Sequence, residues 1–294
     1  MKKLFALLLC LLMAFPAVLA EETASPVLEL HQMVLGYADG YYIRCGDVEI
    51  MIDGGNPFPK DRGNTDVMDN LRALGADKLD IYIITHWHLD HCMNINAILA
   101  EFGDENTIVY SPASKLPATA EGEGVVIQVD PLANGTHRQM VMGDVLELGG
   151  MVITCIGPRA VSQNGRCNAD SLNFVLQYGR RKMLFTGDYA QSGPIIKEYQ
   201  ELCSSVDVLK FPHHGGEPFE IGIKASRNTA PEYVLVPSQL NNYKVYTFLH
   251  DNGVKVERDK VLTNRAGHVV VLTDGDFLEV RTEQNPADYA PEAK

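Results

Sequence analysis

The segment Thr85-His86-Trp87-His88-Leu89-Asp90-His91 brings three imidazoles and a carboxylate onto one short stretch of chain. Histidine nitrogen and carboxylate oxygen are ligands that zinc takes at about 2.0 to 2.2 Å, and one turn serves two ions if alternate residues point to different ones. Two further places put ligand-type side chains directly after an apolar run: Asp188 follows Leu184-Phe185-Thr186-Gly187, and His213-His214 follow Val206 to Phe211. Asp53-Gly54-Gly55 closes another such run, and its two glycines give a tight turn whose backbone can approach something closely.

The elements around these groups follow from periodicity. Ile81-Tyr82-Ile83-Ile84 is an apolar, β-branched run that reads as a buried strand, and Met93 to Phe102 reads as a helix. The first histidine segment is therefore a strand-to-helix turn, where side chains splay in several directions. Before it, Val27 to Leu35, Tyr41 to Ile43 and Val48 to Ile52 read as strands. A helix capped by Asn64 or Thr65 then runs to Leu74, with Val67, Leu71 and Leu74 on one face. Beyond it, Thr107 to Tyr110, Val125 to Val129, Val145 to Leu148 and Met151 to Ile156 are expected as strands, and Ser111 to Gly124 as a surface loop. Leu172 to Tyr178 and Lys182 to Thr186 form a hairpin, followed by a helix from Ser192 or Pro194 to Leu202 and a strand from Val206 to Phe211. A strand over Tyr233 to Val236, a helix over Tyr243 to Asp251 and strands over Gly267 to Thr273 and Phe277 to Arg281 complete the order. Grouped strands with helices between them imply two stacked sheets with helices outside.

The chain has 294 residues and a formal net charge of -13. Lys2 and Lys3, the apolar run Leu4 to Phe15 and Val18-Leu19-Ala20 have the layout of a signal peptide over residues 1–20, cleaved after Ala20. Removal of the two lysines takes the charge from -13 to -15. Residues 21–26 then read as a linker, 27–283 as one domain and 284–294 as a polar tail, with no membrane span after processing. So acidic a surface repels nucleic-acid backbones at long range and disfavours nucleic acid as a partner. Five cysteines remain, Cys45, Cys92, Cys155, Cys167 and Cys203, without the spacing of a disulfide framework. Buried free thiols are expected, with Cys155-Cys167 the one bridge to consider and Cys92 a packed small hydrophobe.

The order His-x-His-x-Asp-His, Thr-Gly-Asp and Lys-Phe-Pro-His-His-Gly resembles the metallo-β-lactamase superfamily. Ile52-Asp53-Gly54-Gly55, Leu184 to Asp188 and Leu209 to Gly215 resemble its competence-protein branch, which includes soluble relatives of DNA-uptake proteins. The resemblance implies an α/β fold, a four-layer αββα sandwich, with a site for two divalent metal ions, zinc or manganese. It implies that His86 and His88 hold the first metal, that Asp90 and His91 hold the second, and that Asp188 bridges both. It implies that one histidine of the His213-His214 pair completes the second site, His214 being favoured, with His213 then facing substrate. The superfamily's third histidine on the first metal is replaced by Asn168, with Asp170 or water to fill the gap.

Around these ligands, Asp53 is expected to support the histidine turn through hydrogen bonds. Asp39 matches an acidic turn of the branch and reads equally as a hairpin residue or a substrate contact. Lys210 is near the site, though a strand lysine usually snorkels to solvent, and His268 is placed to reach the site rim. His31, His137 and His250 read as structural. Two metal ions about 3.5 to 4 Å apart, bridged by hydroxide, would attack an ester or phosphoester, with Asp90 orienting the hydroxide. The expectation is a secreted metal-dependent hydrolase, extracellular or in the cell envelope, acting on a small or cell-wall-attached phosphoester. The alternatives are a β-lactamase or other ester or lactone hydrolase, and a non-catalytic binding module that keeps the fold as a surface or nucleic-acid-binding accessory.

Overall fold

The computed structural model describes residues 25–55, 65–112, 117, 119–122, 125–129, 135–162, 167–190 and 197–283. The expected signal peptide, the polar tail, Asn64 as a cap and the helix start at Ser192 or Pro194 lie outside them. The first half runs β1 (Leu28–Gln32), β2 (Gly40–Cys45), β3 (Val48–Asp53), α1 (Val67–Ala73), β4 (Ile81–Ile83), α2 (Leu89–Cys92), α3 (Ile95–Phe102) and β5 (Ile108–Ser111). It continues through β6 (Thr119–Gly122), β7 (Val125–Gln128) and β8 (Thr136–Gln139). The second half runs β9 (Val145–Leu148), β10 (Met151–Gly157), β11 (Asn173–Tyr178), β12 (Arg181–Phe185), α4 (Gln200–Cys203) and β13 (Val208–Lys210). It ends with α5 (Phe219–Thr229), β14 (Tyr233–Val236), α6 (Asn242–Asp251), β15 (Val261–Thr263), β16 (His268–Thr273) and β17 (Glu279–Glu283).

The strands form an eight-stranded sheet, β17-β16-β1-β2-β3-β4-β5-β8, a seven-stranded sheet, β15-β14-β13-β12-β11-β10-β9, and the separate hairpin β6-β7. Side chains alternate across a strand, and that alternation builds the layers. Ile43 of β2, Ile50 and Ile52 of β3 and Ile83 of β4 meet Ile153, Phe174, Leu176 and Met183 of the other sheet in one buried cluster. Tyr42, Met51 and Tyr82, one residue out of phase, pack outward against Leu71 of α1 and Ile98 and Leu99 of α3. On the far side, Val234 and Val236 pack against Ile223 of α5 and Leu249 of α6, while Val175, Leu184 and Leu209 pack with Cys203 of α4. The result is the expected four-layer sandwich. Within it β3-β4-β5-β8 and β12-β13-β14-β15 are parallel runs, so the ends of β4, β12 and β13 all deliver loops.

Several local expectations are corrected. Asp66, not Thr65, caps α1, its carboxylate accepting from the Met68 and Asp69 N–H groups. The helix expected over Met93 to Phe102 is observed as α3 from Ile95 to Phe102, and a separate short helix, α2, precedes it inside the histidine segment at Leu89–Cys92. The loop expected over Ser111 to Gly124 contains β6, which pairs with β7. Strands β8 and β15 and helix α5 have no counterpart in the sequence reading. The cysteines are free: Cys45, Cys92, Cys155 and Cys203 are buried, whereas Cys167 is exposed, and no Cys155-Cys167 bridge forms. Among the described residues no helix is long and apolar enough to cross a membrane.

Candidate metal centre

Three strand ends assemble the site. After β4, Trp87 is fully buried in the outer hydrophobic cluster and anchors the turn. His86 and His88, on either side of it, turn inward together, with His86 Nε2 3.0 Å from His88 Nδ1. Helix α2 then carries Asp90 and the fully buried His91. The Asp53-Gly54-Gly55 turn closes on this helix: a Cβ at Gly55 would stand 2.1 Å from the Asp90 carbonyl carbon, so only glycine fits. After β12, Gly187 (φ 51°) turns the chain, and the Asp188 N–H donates to Ser171 Oγ at 3.0 Å. After β13, His213 (φ 53°), His214 (φ 52°) and Gly215 (φ 74°) are three consecutive left-handed residues. Such backbone costs on the order of 1–3 kcal/mol for each non-glycine residue and persists where the surroundings over-determine it.

Asp188 lies between two sets of nitrogens. Its Oδ1 is 3.2 Å from His91 Nε2 and 3.4 Å from His214 Nε2. Its Oδ2 faces the other set, 3.8 Å from His86 Nε2 and 3.9 Å from His213 Nε2. Asp90 Oδ2 adds a second oxygen 3.2 Å from His214 Nε2, and Asp90 Oδ1 lies 4.0 Å from His91 Nε2. Two groups of potential ligand atoms result: His86, His88 and Asp188, and Asp90, His91, Asp188 and His214. Ligands around a tetrahedral ion with bonds of about 2.0–2.1 Å stand about 3.3 Å apart, which the observed separations bracket. His91 Nε2 and Asp188 Oδ1 are buried without a hydrogen-bond partner although 3.2 Å apart, so both face a shared space instead of each other. Buried polar atoms are nearly always paired, and a cation in that space would satisfy both. The donor set fits divalent metal.

Behind the ligands stands a row of carboxylates. His91 Nδ1 donates to Asp53 Oδ2 at 2.8 Å, and Asp53 also accepts from the Thr85 N–H at 2.7 Å and its hydroxyl at 2.8 Å. His214 Nδ1 lies 3.1 Å from Asp39 Oδ1. Asp53 thus fixes His91 so that its Nε2 is offered to the centre, the support that metal-binding histidines ordinarily have, while Asp39 stands beside His214 at ion-pair distance without a hydrogen bond to it. Asp39, Asp53 and His91 also form a ligand-type trio. Its cation is already in place, because Lys210 Nζ is 2.6 Å from Asp39 Oδ2.

Lys210 does not snorkel: its side chain is 2% exposed, 3.6 Å from Asp188 Oδ1, and bonded to the Gly187 carbonyl. It shares the inner face of β13 with Val208, two residues before it. Asp39 is likewise buried, holding Lys210 and His214 and not standing in an open hairpin turn. His268 does not reach the site; its Nε2 is 2.9 Å from His31 Nδ1 within the first sheet. Asp170 does not fill the place left by the absent histidine, since its carboxylate accepts from the Ser162 N–H at 2.6 Å and the Cys167 N–H at 3.1 Å. Asn168 does reach the site, with Nδ2 3.2 Å from His213 Nε2. Cys92 packs in the outer hydrophobic cluster. His137 is 2.9 Å from Ser111 and His250 is exposed, both away from the centre. Thr85 and Ser171 were missed: their hydroxyls lie 3.3 and 3.4 Å from His86 Nδ1 and tie the histidine turn to Asp53 and Asp188. Their positions, at the head of the histidine segment and two residues before β11, were the sequence signal.

The charges are strongly coupled. Burial works against the imidazolium of His214, but Asp188 and Asp39 outweigh it and raise its pKa to about 9. Burial likewise opposes charge on His91, and Asp188, Asp53 and Asp90 overcome it, holding that group well above the ordinary histidine range. Burial and the neighbouring His91 push His86 well down. Burial would raise Asp188, yet His91, His214 and Lys210 hold it well below the usual carboxylate range. Without metal, protonated histidines balance the carboxylates, and divalent ions would displace those protons.

Residues 55–238 match the sequence model of a β-lactamase superfamily domain. No curated protein matches the chain significantly. Among solved structures the chain is similar to the metallo-β-lactamase fold protein YhfI from Bacillus subtilis, with TM-score 0.52 and 14% identity over 87% of this chain and 100% of that one. It is also similar to Tm1679, a metal-dependent hydrolase of the β-lactamase superfamily, with TM-score 0.51 and 16% identity over 88% of this chain and 100% of that one.

Proposed function

The chain belongs to the β-lactamase superfamily, and on that footing we propose that it is a metal-dependent hydrolase of a phosphodiester or related ester, with two divalent ions sharing Asp188. His86 Nε2, His88 Nδ1 and Asp188 Oδ2 would hold the first ion. Asp90, His91 Nε2, His214 Nε2 and Asp188 Oδ1 would hold the second. Zinc suits the nitrogen and carboxylate donors, and manganese is the alternative. The observation that carries the reading is Asp188, whose two oxygens face two different sets of nitrogens. Such ions supply Lewis acidity and lower the pKa of water toward neutrality.

The chain's own residues supply the rest. Asp90, the more exposed of the two site carboxylates at 28%, is placed to orient the attacking water. His213 gives its Nδ1 hydrogen to the Glu217 carbonyl, which leaves the Nε2 lone pair at the site mouth, where the Asn168 amide donates to it and water or substrate would compete for it. At 33% exposure it can take a proton and return it to the leaving oxygen. Lys210 and Asp39 hold Asp188 and His214 in place.

We assign the chain to the competence-protein branch on the motifs that end β3, β12 and β13, and propose export on the strength of Lys2, Lys3 and the apolar run after them. The acidic charge favours a small or envelope-attached substrate over long nucleic acid. β-Lactam hydrolysis is the second reading, and Asn168 in place of a third nitrogen argues against it. The test is Asp188→Asn. Turnover of bis-p-nitrophenyl phosphate should fall roughly a hundredfold or more, with loss of bound metal. Unchanged turnover would remove Asp188 from the centre.

A further inference from the structure

The parallel strands β12, β13 and β14 end in a row. Asp188 follows the first and His213-His214 the second. One strand further along, a cavity of about 210 Å³ opens between the ends of β13 and β14 and helices α5 and α6. Its walls are mostly apolar, from Phe211, Gly215, Phe219, Leu240, Val245 and Phe248, and Asn241 and Lys244 complete the lining. The Phe219 and Phe248 rings are 4.9 Å apart and tilted by 57°, so two aromatic faces line it. Gly215 belongs to the same left-handed turn as His214, and a Cβ there would stand 2.9 Å from Val236 and 3.0 Å from Leu240. Gly215 both lines the cavity and directly follows His214 in the chain, so the cavity adjoins the His214 end of the metal centre. Ligands of open α/β sheets bind beyond the carboxyl ends of parallel strands.

We propose that this cavity receives a ring-sized apolar group of the substrate, aryl or branched alkyl, while the scissile ester sits at the metal centre. The proposal rests on the hydrolase reading and narrows its substrate class to esters that carry one such group. The size decides the occupant: an apolar cavity of roughly 150 Å³ takes benzene, so this one holds a single ring with little room beyond. Nearly all of its lining surface is hydrocarbon, with Asn241 and Lys244 its two polar residues, so an apolar group gains more there than a sugar that must leave several hydroxyls unpaired. Phe211, Gly215 and Phe219 lie within the match to the superfamily model, whereas Leu240, Val245 and Phe248 lie past residue 238, where it ends, so the cavity spans that boundary.

The test compares phenylphosphonate with methylphosphonate binding to zinc-loaded protein by calorimetry, alongside turnover of phenyl and methyl p-nitrophenyl phosphodiesters. Phenylphosphonate should bind roughly tenfold tighter or more, from the apolar area it buries. Leu240→Trp, and independently Val245→Phe, should remove that advantage while methylphosphonate affinity and metal content stay unchanged. Equal affinities for the two phosphonates, binding of neither, or an advantage that survives both variants would overturn the proposal. Turnover without phenyl preference would sink the cavity and leave the hydrolase. Phenyl-selective binding without turnover of any ester would sink the hydrolase and leave the cavity.

Discussion

At the scale of residues, the centre is an arrangement of buried charges that needs cations. Lys210 is the permanent one, 2.6 Å from Asp39 and 3.6 Å from Asp188. Burial alone would lower its pKa, but those carboxylates hold it above the usual lysine value. Lys210→Met would leave Asp39 buried without its partner, and breaking a buried pair on one side costs about 3–5 kcal/mol. Urea denaturation of the metal-free protein should show that loss, and a change within error would mean that the ammonium is not a structural cation. His214 carries a pH signature. Its folded pKa of about 9 stands above an unfolded value of about 6.5, so its contribution is complete below about pH 6.5 and lost as pH rises through about 9. His91 acts in the same direction. His214 alone should therefore cost metal-free protein about 3 kcal/mol of stability between pH 6.5 and 9. Zinc-loaded protein should not follow it, because metal requires the deprotonated rings. A metal-free profile that is flat from pH 6.5 to 9 would contradict the charge assignment.

At the scale of elements, the ligands were easy to read and their supports were not. His86, His88, Asp90, His91, Asp188 and His214 each follow a short apolar strand, and the structure brings them together as that pattern implies. Lys210 was harder, because β13 is buried on both faces and carries no polar alternation to show which way a lysine points, and Asp39 because it directly precedes β2, where a turn residue reads the same whether it faces solvent or the interior. Helix α5 was missed because Phe219 to Thr229 mixes Gly222, β-branched residues and charges, so its amphipathic face emerges only against β13 and β14. Strand β8 is largely exposed, and β15 is only three residues long. The Asp53-Gly54-Gly55 turn was legible as a close approach, and what it approaches is α2. Gly55→Ala should therefore push α2 from its place, costing about 1–3 kcal/mol as overpacking does and weakening metal binding through Asp90 and His91. A variant with unchanged melting temperature and metal affinity would show that the contact is dispensable.

At the scale of the whole molecule, two sheets built by strand alternation bring the ends of β4, β12 and β13 to one edge, and the centre stands where they meet. That much was legible from apolar period and ligand spacing. What escaped prediction was the content of the first metal set, since Asn168 reaches the site but Asp170 is taken up by its own loop. The set keeps two histidine nitrogens and one oxygen of Asp188, with His213 Nε2 the next nitrogen at 3.9 Å from that oxygen. Everything proposed about chemistry depends on whether both sets fill. The most direct measurement is the metal content of the purified protein by elemental analysis, read with bis-p-nitrophenyl phosphate turnover before and after chelation. The account predicts close to two divalent ions per chain and turnover that chelation abolishes and zinc or manganese restores. One ion or none, with no turnover after either metal is added, would contradict it and leave a binding module in a hydrolase fold.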